Sequence, residues 1–437
     1  MGKSNKELYE MAIKEFEETI ERLRDDKELA GIIKEEGLGP ADIVLSNVAA
    51  RMRGPEAIHE WNLPIFNDKG RVETFTGWEV VDSTTRGPAK GGITFSSSTD
   101  IFSVMLKGVL MTRKSSLFNL PFGGAKGGVN CDPKSRSRSE LRKLTTRYSN
   151  ELATVIGPWK IIPAPDVGTN ERTMAIIYDV YKEKTGDSCF AVVTGKPVDY
   201  GGVPGRREAT GRGAFIITLE ILKHLGTDPK GKTCVIQGAG NVGGVAAELL
   251  HHNGFKVIGI SDSSGGIFNP IGIDIPNALR HKEETGHLKD FPGCDNVVGE
   301  DEFLSLPCDI LGLMAKEGVV TEKNAPGVKA KVVICPANAP ITPDGEKILL
   351  DRGIFVSADS LDSGGGVNGS WCEWSQNLGG AQWELEDVNR MIDKKMKAAF
   401  NEVLSLSQEK KVSMKQAALM LAIKRVVKAK IVYPLWP

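Results

Sequence analysis

The sequence has no apolar run approaching the ~20 residues needed to cross a bilayer. It begins Met1-Gly-Lys-Ser-Asn-Lys-Glu7 and continues into a polar amphipathic stretch, not an apolar leader. A myristoylation signal is discounted as well, because Lys6 stands where Ser or Thr is required. No membrane association is expected. Seven cysteines, at 131, 189, 234, 294, 308, 335 and 372, form no C-x-x-C. Their odd number and scatter argue against a disulfide framework or zinc site and fit reduced thiols in a cytoplasm. The six histidines lack ligand spacing, and His251-His252 reads as a solvated helix end, so no metal site is expected. Charge of one sign is not in excess: the formal net charge is −1, which gives no pull toward nucleic acid. Internal repeats and low-complexity linkers are also missing.

At 437 residues the chain has room for two or three domains with full cores. Its 49 glycines are numerous and fall in clusters. Apolar residues at helical spacing, Leu8 to Leu23, open the chain on a surface helix. Thr74–Val81 reads as a strand, and Ile101–Leu117, Glu140–Ile156, Thr173–Lys182 and Ala209–Leu225 read as helices. From about residue 230 to 360, short apolar strands alternate with helices, which predicts a parallel sheet covered on both faces. Two amphipathic helices close the chain, the second opening on the capping box Ser413-Met-Lys-Gln416.

Within the alternating region, Gly238-x-Gly240-x-x-Gly243 follows a buried strand and precedes a helix. In that context each glycine has a task. Gly238 permits the tight turn, Gly240 lets a pyrophosphate approach the backbone, and Gly243 lets helix pack on strand. Asn241 and Val242 begin the helix whose free N–H groups would face the phosphates. Asp262, 24 residues past Gly238, stands where a carboxylate accepts from ribose hydroxyls, with Ser263 beside it. The pattern predicts a nicotinamide dinucleotide, NAD or NADP. Asp262 leans the choice toward NAD because it would repel a 2′-phosphate, and a cation such as Lys256 or Arg280 folding in would reverse it.

A second group of motifs precedes residue 170. Arg86-Gly-Pro-Ala-Lys90-Gly-Gly and Pro121-Phe-Gly-Gly-Ala-Lys126-Gly-Gly wrap two lysines in glycine, and Met111-Thr-Arg-Lys114 sits in an apolar segment. Ile162-Pro-Ala-Pro-Asp166 holds an acid among rigid residues. These lysines are placed at turns or in apolar surroundings, where lost hydration lowers a lysine's pKa and suits it to proton chemistry. Two cationic sites and a proton-transfer pair would serve a dicarboxylic amino acid.

Taken in order from about residue 40 to 425, RGPAKGG, PFGGAKGG, DPK, PAPDVGTN, TGKP, EATGRG, QGAGNVG, SDSSGGIFNP, Ala337-Asn338 and EWSQN resemble the glutamate dehydrogenase family of amino-acid dehydrogenases. The resemblance implies two α/β domains separated by a cleft. One is a substrate and oligomerisation domain over 1–195, with helices 376–437 packing back on it. The other is a doubly wound, Rossmann-like cofactor domain over 196–375. It further implies oxidative deamination of L-glutamate to 2-oxoglutarate and ammonium, the reverse amination, and a homo-oligomer, hexameric in the family. Lys126 would be the catalytic lysine and Asp166 the proton shuttle. Lys114 would hold the α-carboxylate, and Lys90 with Ser370 the side-chain carboxylate. Ala164 and Val367 would shape the pocket, and Thr210 and Asn338 would lie near the nicotinamide.

The sequence departs from the family pattern at Thr94 and Ser96, where arginine and histidine are usual, and at Val203, Leu313 and Ser363. These departures keep two alternatives open: a dehydrogenase for another substrate, or a non-catalytic partner subunit. Lys90 and Ser370 speak for an acidic substrate, since relatives acting on apolar amino acids carry apolar groups there.

Overall fold

A computed structural model describes residues 4–297 and 299–432. The chain forms two compact units, one of Met1–Arg206, Gly369–Val388 and Leu419–Pro437, the other of Arg207–Asn368 and Asn389–Ala418.

In the first unit, helices α1 (Asn5–Arg22), α2 (Lys27–Glu35) and α3 (Ala41–Arg51) lead into strands β1 (Ala57–Phe66), β2 (Val72–Ser83) and β3 (Ala89–Ser96). Then come α4 (Ile101–Leu117), β4 (Gly123–Asn130), α5 (Arg138–Leu152), β5 (Ile161–Pro165) and α6 (Glu171–Thr185). The strand order is β1-β2-β4-β3-β5. β1 and β2 pair antiparallel, β2 runs antiparallel to β4, and β3 runs parallel to both β4 and β5. One face is a conventional core in which Ile93, Phe95, Ala125 and Val129 pack on Leu144, Tyr148, Met174 and Ile177 of α5 and α6. The opposite face receives α4.

The glycine-flanked lysines lie on β3 and β4, not at turns. Glycine is a poor strand former, and what secures these two strands is close packing. A Cβ at Gly124 would run into the backbone of Thr112 on α4, and one at Gly128 would come within 2.7 Å of Thr99 and 3.1 Å of Val104. Glycine therefore lets α4 lie directly on β4. β5 tolerates Pro163 and Pro165 because it is an edge strand.

The second unit holds α7 (Ala209–His224), β6 (Thr233–Gln237), α8 (Asn241–His252), β7 (Lys256–Asp262), β8 (Gly265–Phe268), α9 (Ile275–Thr285), β9 (Asp295–Val297) and α10 (Glu300–Leu304). β10 (Ile310–Leu313), β11 (Val332–Ile334), α11 (Pro343–Asp351), β12 (Phe355–Val356) and α12 (Asp359–Asp362) follow. The sheet order is β12-β11-β10-β6-β7-β8-β9. Strands β12 through β7 are parallel, as the alternating pattern predicts, and β8 and β9 add an antiparallel edge. The chain ends on α13 (Gly365–Gly379), α14 (Leu385–Lys410) and α15 (Met414–Val432), whose residues are shared between the two units. Ser413 caps α15 by accepting from the Gln416 N–H, 3.2 Å. No helix among the described residues is long and apolar enough to cross a membrane, and none of their His, Cys, Asp and Glu side chains cluster as a metal site.

Candidate active site

Strand alternation puts the chemistry of the first unit on one face. On β3 the residues of that face are Lys90, Gly92 and Thr94. Their partners in register are Gly124 and Gly128 on β4 and Ile162 and Ala164 on β5. Lys126 shares the face with Gly124 and Gly128, and Asp166 follows β5 with the parity of Ala164. The result is a direct ion pair between Lys126 Nζ and Asp166 Oδ2, with side-chain exposures of 4% and 35%. Asp166 Oδ1 accepts from the Val167 N–H at 2.7 Å, which fixes the carboxylate from its other side. Burial pushes the Asp166 carboxyl up, but the Lys126 charge and hydrogen bond outweigh it and hold the group below its ordinary value. Gly92 makes room for the pair. A Cβ there would lie 2.9 Å from Asp166 Cβ and 3.3 Å from Lys126 Nζ.

Lys90, 1% exposed, donates to the Ile162 carbonyl at 3.1 Å. Among the described residues it forms no ion pair. Burial, with a smaller contribution from the charge of Arg206, drives its proton affinity well below the usual lysine value. A carboxylate arriving beside it would restore the charged form and satisfy the remaining N–H donors. Lys114 lies on α4 two residues beyond Thr112, the residue seated over Gly124, and is partly buried. Ala164 is buried at 6% exposure.

Ser370, buried on α13, accepts from Arg206 Nε at 3.1 Å. Arg206 is a candidate site residue that the sequence reading missed. It stands two residues before the EATGRG motif, and its only signal was a cation in a glycine-rich approach to a helix. Glu373, one turn beyond Ser370, is also without a role in that reading. It is fully buried, pairs with Lys196 Nζ at 2.7 Å and accepts from the Gly195 N–H at 2.7 Å. This pair ties the TGKP segment to α13 and so holds Ser370 in place.

The second unit contains the glycine turn. Gly238 has φ +106°, reachable without strain only by glycine. A Cβ at Gly243 would collide with the Gly238 carbonyl, so that glycine serves helix–strand packing. Gly240 is different: a Cβ there meets nothing within 4 Å. Its missing side chain serves no internal packing, as expected where a ligand must approach the backbone. Gly240 is the N-cap of α8, and no side chain caps that helix. The uncapped first turn and the open cradle at Gly240 fit a dinucleotide pyrophosphate. Asn241 is exposed at the first helical position and donates to the Arg207 carbonyl at 2.8 Å, with Val242 beside it.

Asp262 ends β7, but its carboxylate is largely occupied from within. Oδ1 accepts from Ser264 N–H at 2.8 Å and Ser264 Oγ at 2.6 Å, and Oδ2 accepts from Leu288 N–H at 2.9 Å. Ser263 is exposed. The cation beside Asp262 is Lys282, at 4.0 Å, neither Lys256 nor Arg280. Lys256 begins β7, at the strand end away from Asp262, and residues 280 and 282 of α9 point about 200° apart. Thr210 lies in the first turn of α7, where Gly365 approaches its Cα, and buried Val367 follows two residues later on α13. Asn338 is exposed on the loop after β11.

The chain matches two family models, Glu/Leu/Phe/Val dehydrogenase, dimerisation domain, over residues 55–183 and Glutamate/Leucine/Phenylalanine/Valine dehydrogenase over residues 201–433. It belongs to the Glu/Leu/Phe/Val dehydrogenase family. A glutamate dehydrogenase of Thermotoga maritima is 41% identical over 425 residues, 97% of each chain. The hetero-hexameric glutamate dehydrogenase of Thermus thermophilus, in a leucine-bound crystal form, superposes with TM-score 0.85 at 32% identity, covering 94% of this chain and 99% of that one. The glutamate dehydrogenase of Peptoniphilus asaccharolyticus gives TM-score 0.81 at 31% identity, covering 97% and 100%. Members of the family are amino-acid oxidoreductases that use NAD(P).

Proposed function

We propose that the chain catalyses the reversible oxidative deamination of L-glutamate to 2-oxoglutarate and ammonium with NAD(P). The observation that carries this reading is the Lys126–Asp166 ion pair on the same sheet face as a buried, undercompensated Lys90. The dinucleotide, held at Gly238–Gly243 by the uncapped end of α8, supplies the hydride acceptor. Lys126 polarises the oxygen at the reacting carbon and activates water, and Asp166 moves the proton to and from the substrate nitrogen. Lys114 takes the α-carboxylate. Lys90 and Ser370 take the distal carboxylate, with Arg206 adding a second cation behind Ser370. Ala164 and Val367 would shape the pocket, while Thr210 and Asn338 would lie near the nicotinamide carboxamide. An apolar substrate would leave Lys90 buried without an anion, which is costly.

Asp262 and Ser263 line the ribose end, and the Asp262 charge gives NAD the advantage over NADP. The relatives whose geometry this chain shares include a hexamer, and we assign a homohexamer here. All seven cysteines are free, which suits the reducing cytoplasm to which we assign the enzyme.

The test is a spectrophotometric assay of the purified protein with 2-oxoglutarate and ammonium, using NADH and NADPH separately. Turnover is expected, and Lys126→Ala should abolish it while sparing dinucleotide binding. Faster turnover of branched-chain or aromatic keto acids would overturn the glutamate reading. Dinucleotide binding without turnover of any keto acid would favour a non-catalytic subunit.

A further inference from the structure

The loop that carries Asn338 runs from Cys335, just past β11, to Pro340, and its backbone is tied down at both ends. Cys335 N–H donates to Asp362 Oδ2 at 2.6 Å, and Ala339 N–H donates to Asp359 Oδ2 at 2.9 Å. Between them Ala337 N–H donates to the Leu313 carbonyl at 3.1 Å. Asp359 and Asp362 are three residues apart on α12, so their carboxylates leave the same side of the helix. One turn of helix thus grips the loop on either side of Asn338.

The far end of the loop is strained. Ala339 has φ +41°, in the left-handed region that a residue with a Cβ occupies only when its surroundings hold it there. Asp359 takes its N–H, and Gly318 N–H donates to its carbonyl at 3.0 Å. The near end depends on Asp362, which is fully buried. Its Oδ1 accepts from the Ser357 hydroxyl at 2.6 Å, so one carboxylate joins the residue after β11 to the residue after β12. Burial raises this carboxyl to about 7 from 3.8, against the Cys335 N–H and the Ser357 hydroxyl, and the Asp359 charge adds to the rise. The other titratable groups around it are the Cys335 thiol, Glu346 of α11 and Lys415 of α15. They border one small cleft with Ser357 and Asp359, in which Lys415 stands 3.8 Å from Glu346. Burial and the nearby acids keep the thiol neutral. When ionised, Asp362 accepts from both of its donors. A proton on it turns one oxygen into a donor, which cannot accept from Cys335 and Ser357 equally well.

We propose that Asp362 and Asp359 are positioning residues for hydride transfer, holding the 335–340 loop so that Asn338 meets the nicotinamide. Protonation of Asp362 releases the near end of the loop. The inference rests on the reading of Asn338 as a neighbour of the nicotinamide.

The experiment measures kcat of reductive amination and the NADH dissociation constant by fluorescence, at about pH 6 and about pH 8.5. It compares wild type with Asp362→Asn, Ser357→Ala and Asn338→Ala. Asp362→Asn keeps the size of the group and removes its charge. At the higher pH it should lower kcat about tenfold, part of the hundredfold that a displacement of about 1 Å costs. At the lower pH it should converge on wild type, which is then itself protonated. The NADH constant should move less than about threefold, because Gly238–Gly243 still holds the pyrophosphate. Ser357→Ala removes a donor that stabilises the ionised form, so it should shift the midpoint of the kcat profile to higher pH. That variant carries the test if Asp362→Asn does not fold. An equal loss of kcat at both pH values, or a loss of NADH affinity as large as the loss of kcat, would overturn the proposal and leave Asp362 a packing group. An unmoved midpoint in Ser357→Ala would do the same. A wild-type kcat in Asn338→Ala would instead sink the reading of Asn338 on which the proposal stands.

Discussion

Gly92→Ala adds one methyl group at the centre of the candidate active site. Gly92 sits in extended strand backbone that alanine adopts freely, so the substitution acts through the side chain alone. The new Cβ would lie 2.9 Å from Asp166 Cβ, 3.0 Å from Asp166 Oδ2 and 3.3 Å from Lys126 Nζ. Carbon atoms rest at about 3.5–4.0 Å, so Asp166 must retreat by roughly half an ångström to one ångström. Asp166 is held by the Val167 N–H and by a turn in which Thr169 Oγ1 donates to the Ile93 carbonyl, so the retreat is resisted and the pair is misaligned. A displacement of about 1 Å in a reacting group costs on the order of a hundredfold in rate, or about 2.7 kcal/mol of barrier. The expected outcome is a kcat about a hundredfold down, with unchanged near-UV circular dichroism and dinucleotide affinity. Steady-state amination of 2-oxoglutarate, followed by oxidation of the reduced dinucleotide, measures it. A kcat within about threefold of wild type, in a normally folded variant, would refute the assignment of Lys126 and Asp166 to the chemistry.

Lys90→Leu should lower kcat/KM for glutamate by about a hundredfold or more, as removal of one partner of a buried charge pair does, while an apolar amino acid loses little. The same variant should be no less stable to denaturant, because it removes a buried amine that no acid pairs with among the described residues. Gly240→Ala should leave thermal stability unchanged, since its Cβ meets nothing, yet raise the dinucleotide dissociation constant about tenfold. An unchanged constant in that titration would mean that the turn does not hold the pyrophosphate. Glu79 is buried, and burial, opposed by the Tyr148 hydroxyl, raises its carboxyl to about 8 from 4.5. Between those values the folded chain keeps a proton that the unfolded chain releases, so this group costs stability progressively as pH rises through the window, about 1.4 kcal/mol per unit. Chemical denaturation of Glu79→Gln at pH 5 and pH 9 should show a flatter pH dependence than wild type, and an identical slope would contradict the burial argument.

The parts of the fold written in side-chain periodicity could be read directly. α4 runs over Ile101–Leu117, the span its apolar spacing predicts, and the parallel strands of the second sheet fall where short apolar runs alternate with helices. β3 and β4 were not legible as strands, because their identity lies in what their glycines permit. Gly124 and Gly128 admit α4, and Gly92 admits the Lys126–Asp166 pair. A single sequence carries no mark of the neighbour that occupies the space of a missing Cβ. α13 was hidden for a related reason, since it opens on Gly365-Gly366, a poor helix start whose merit is close approach to Ala209 and Thr210. The lysines and Asp166 were legible as chemistry because cations and an acid among glycine and proline are out of place in ordinary packing. Arg206, Lys196 and Glu373 were not, since their meaning depends on long-range partners.

The departures from the family pattern can be weighed by what each touches. Leu313 is fully buried at the end of β10 and fills the core of the second sheet. Ser363 bonds back to the Asp359 carbonyl at 2.7 Å, a local helix contact. Ser96 shares a hydrogen bond with Ser98 in the exposed turn after β3, and Val203 is simply buried. Thr94 is the consequential one. It lies on the same face as Lys90 and Gly92, buried, with a hydroxyl that has no hydrogen-bond partner among the described residues. A short neutral side chain there places no cation on the rung beyond Gly92, so Lys126 keeps its carboxylate partner without a competing charge from that position. The substitutions are thus absorbed by packing or local turns, and the one on the face of Lys90 and Lys126 reduces charge without removing a group that the proposed chemistry uses. That distribution favours an active enzyme over a non-catalytic subunit, in which Lys126, Asp166 and Lys90 would have no reason to stand together on one sheet face.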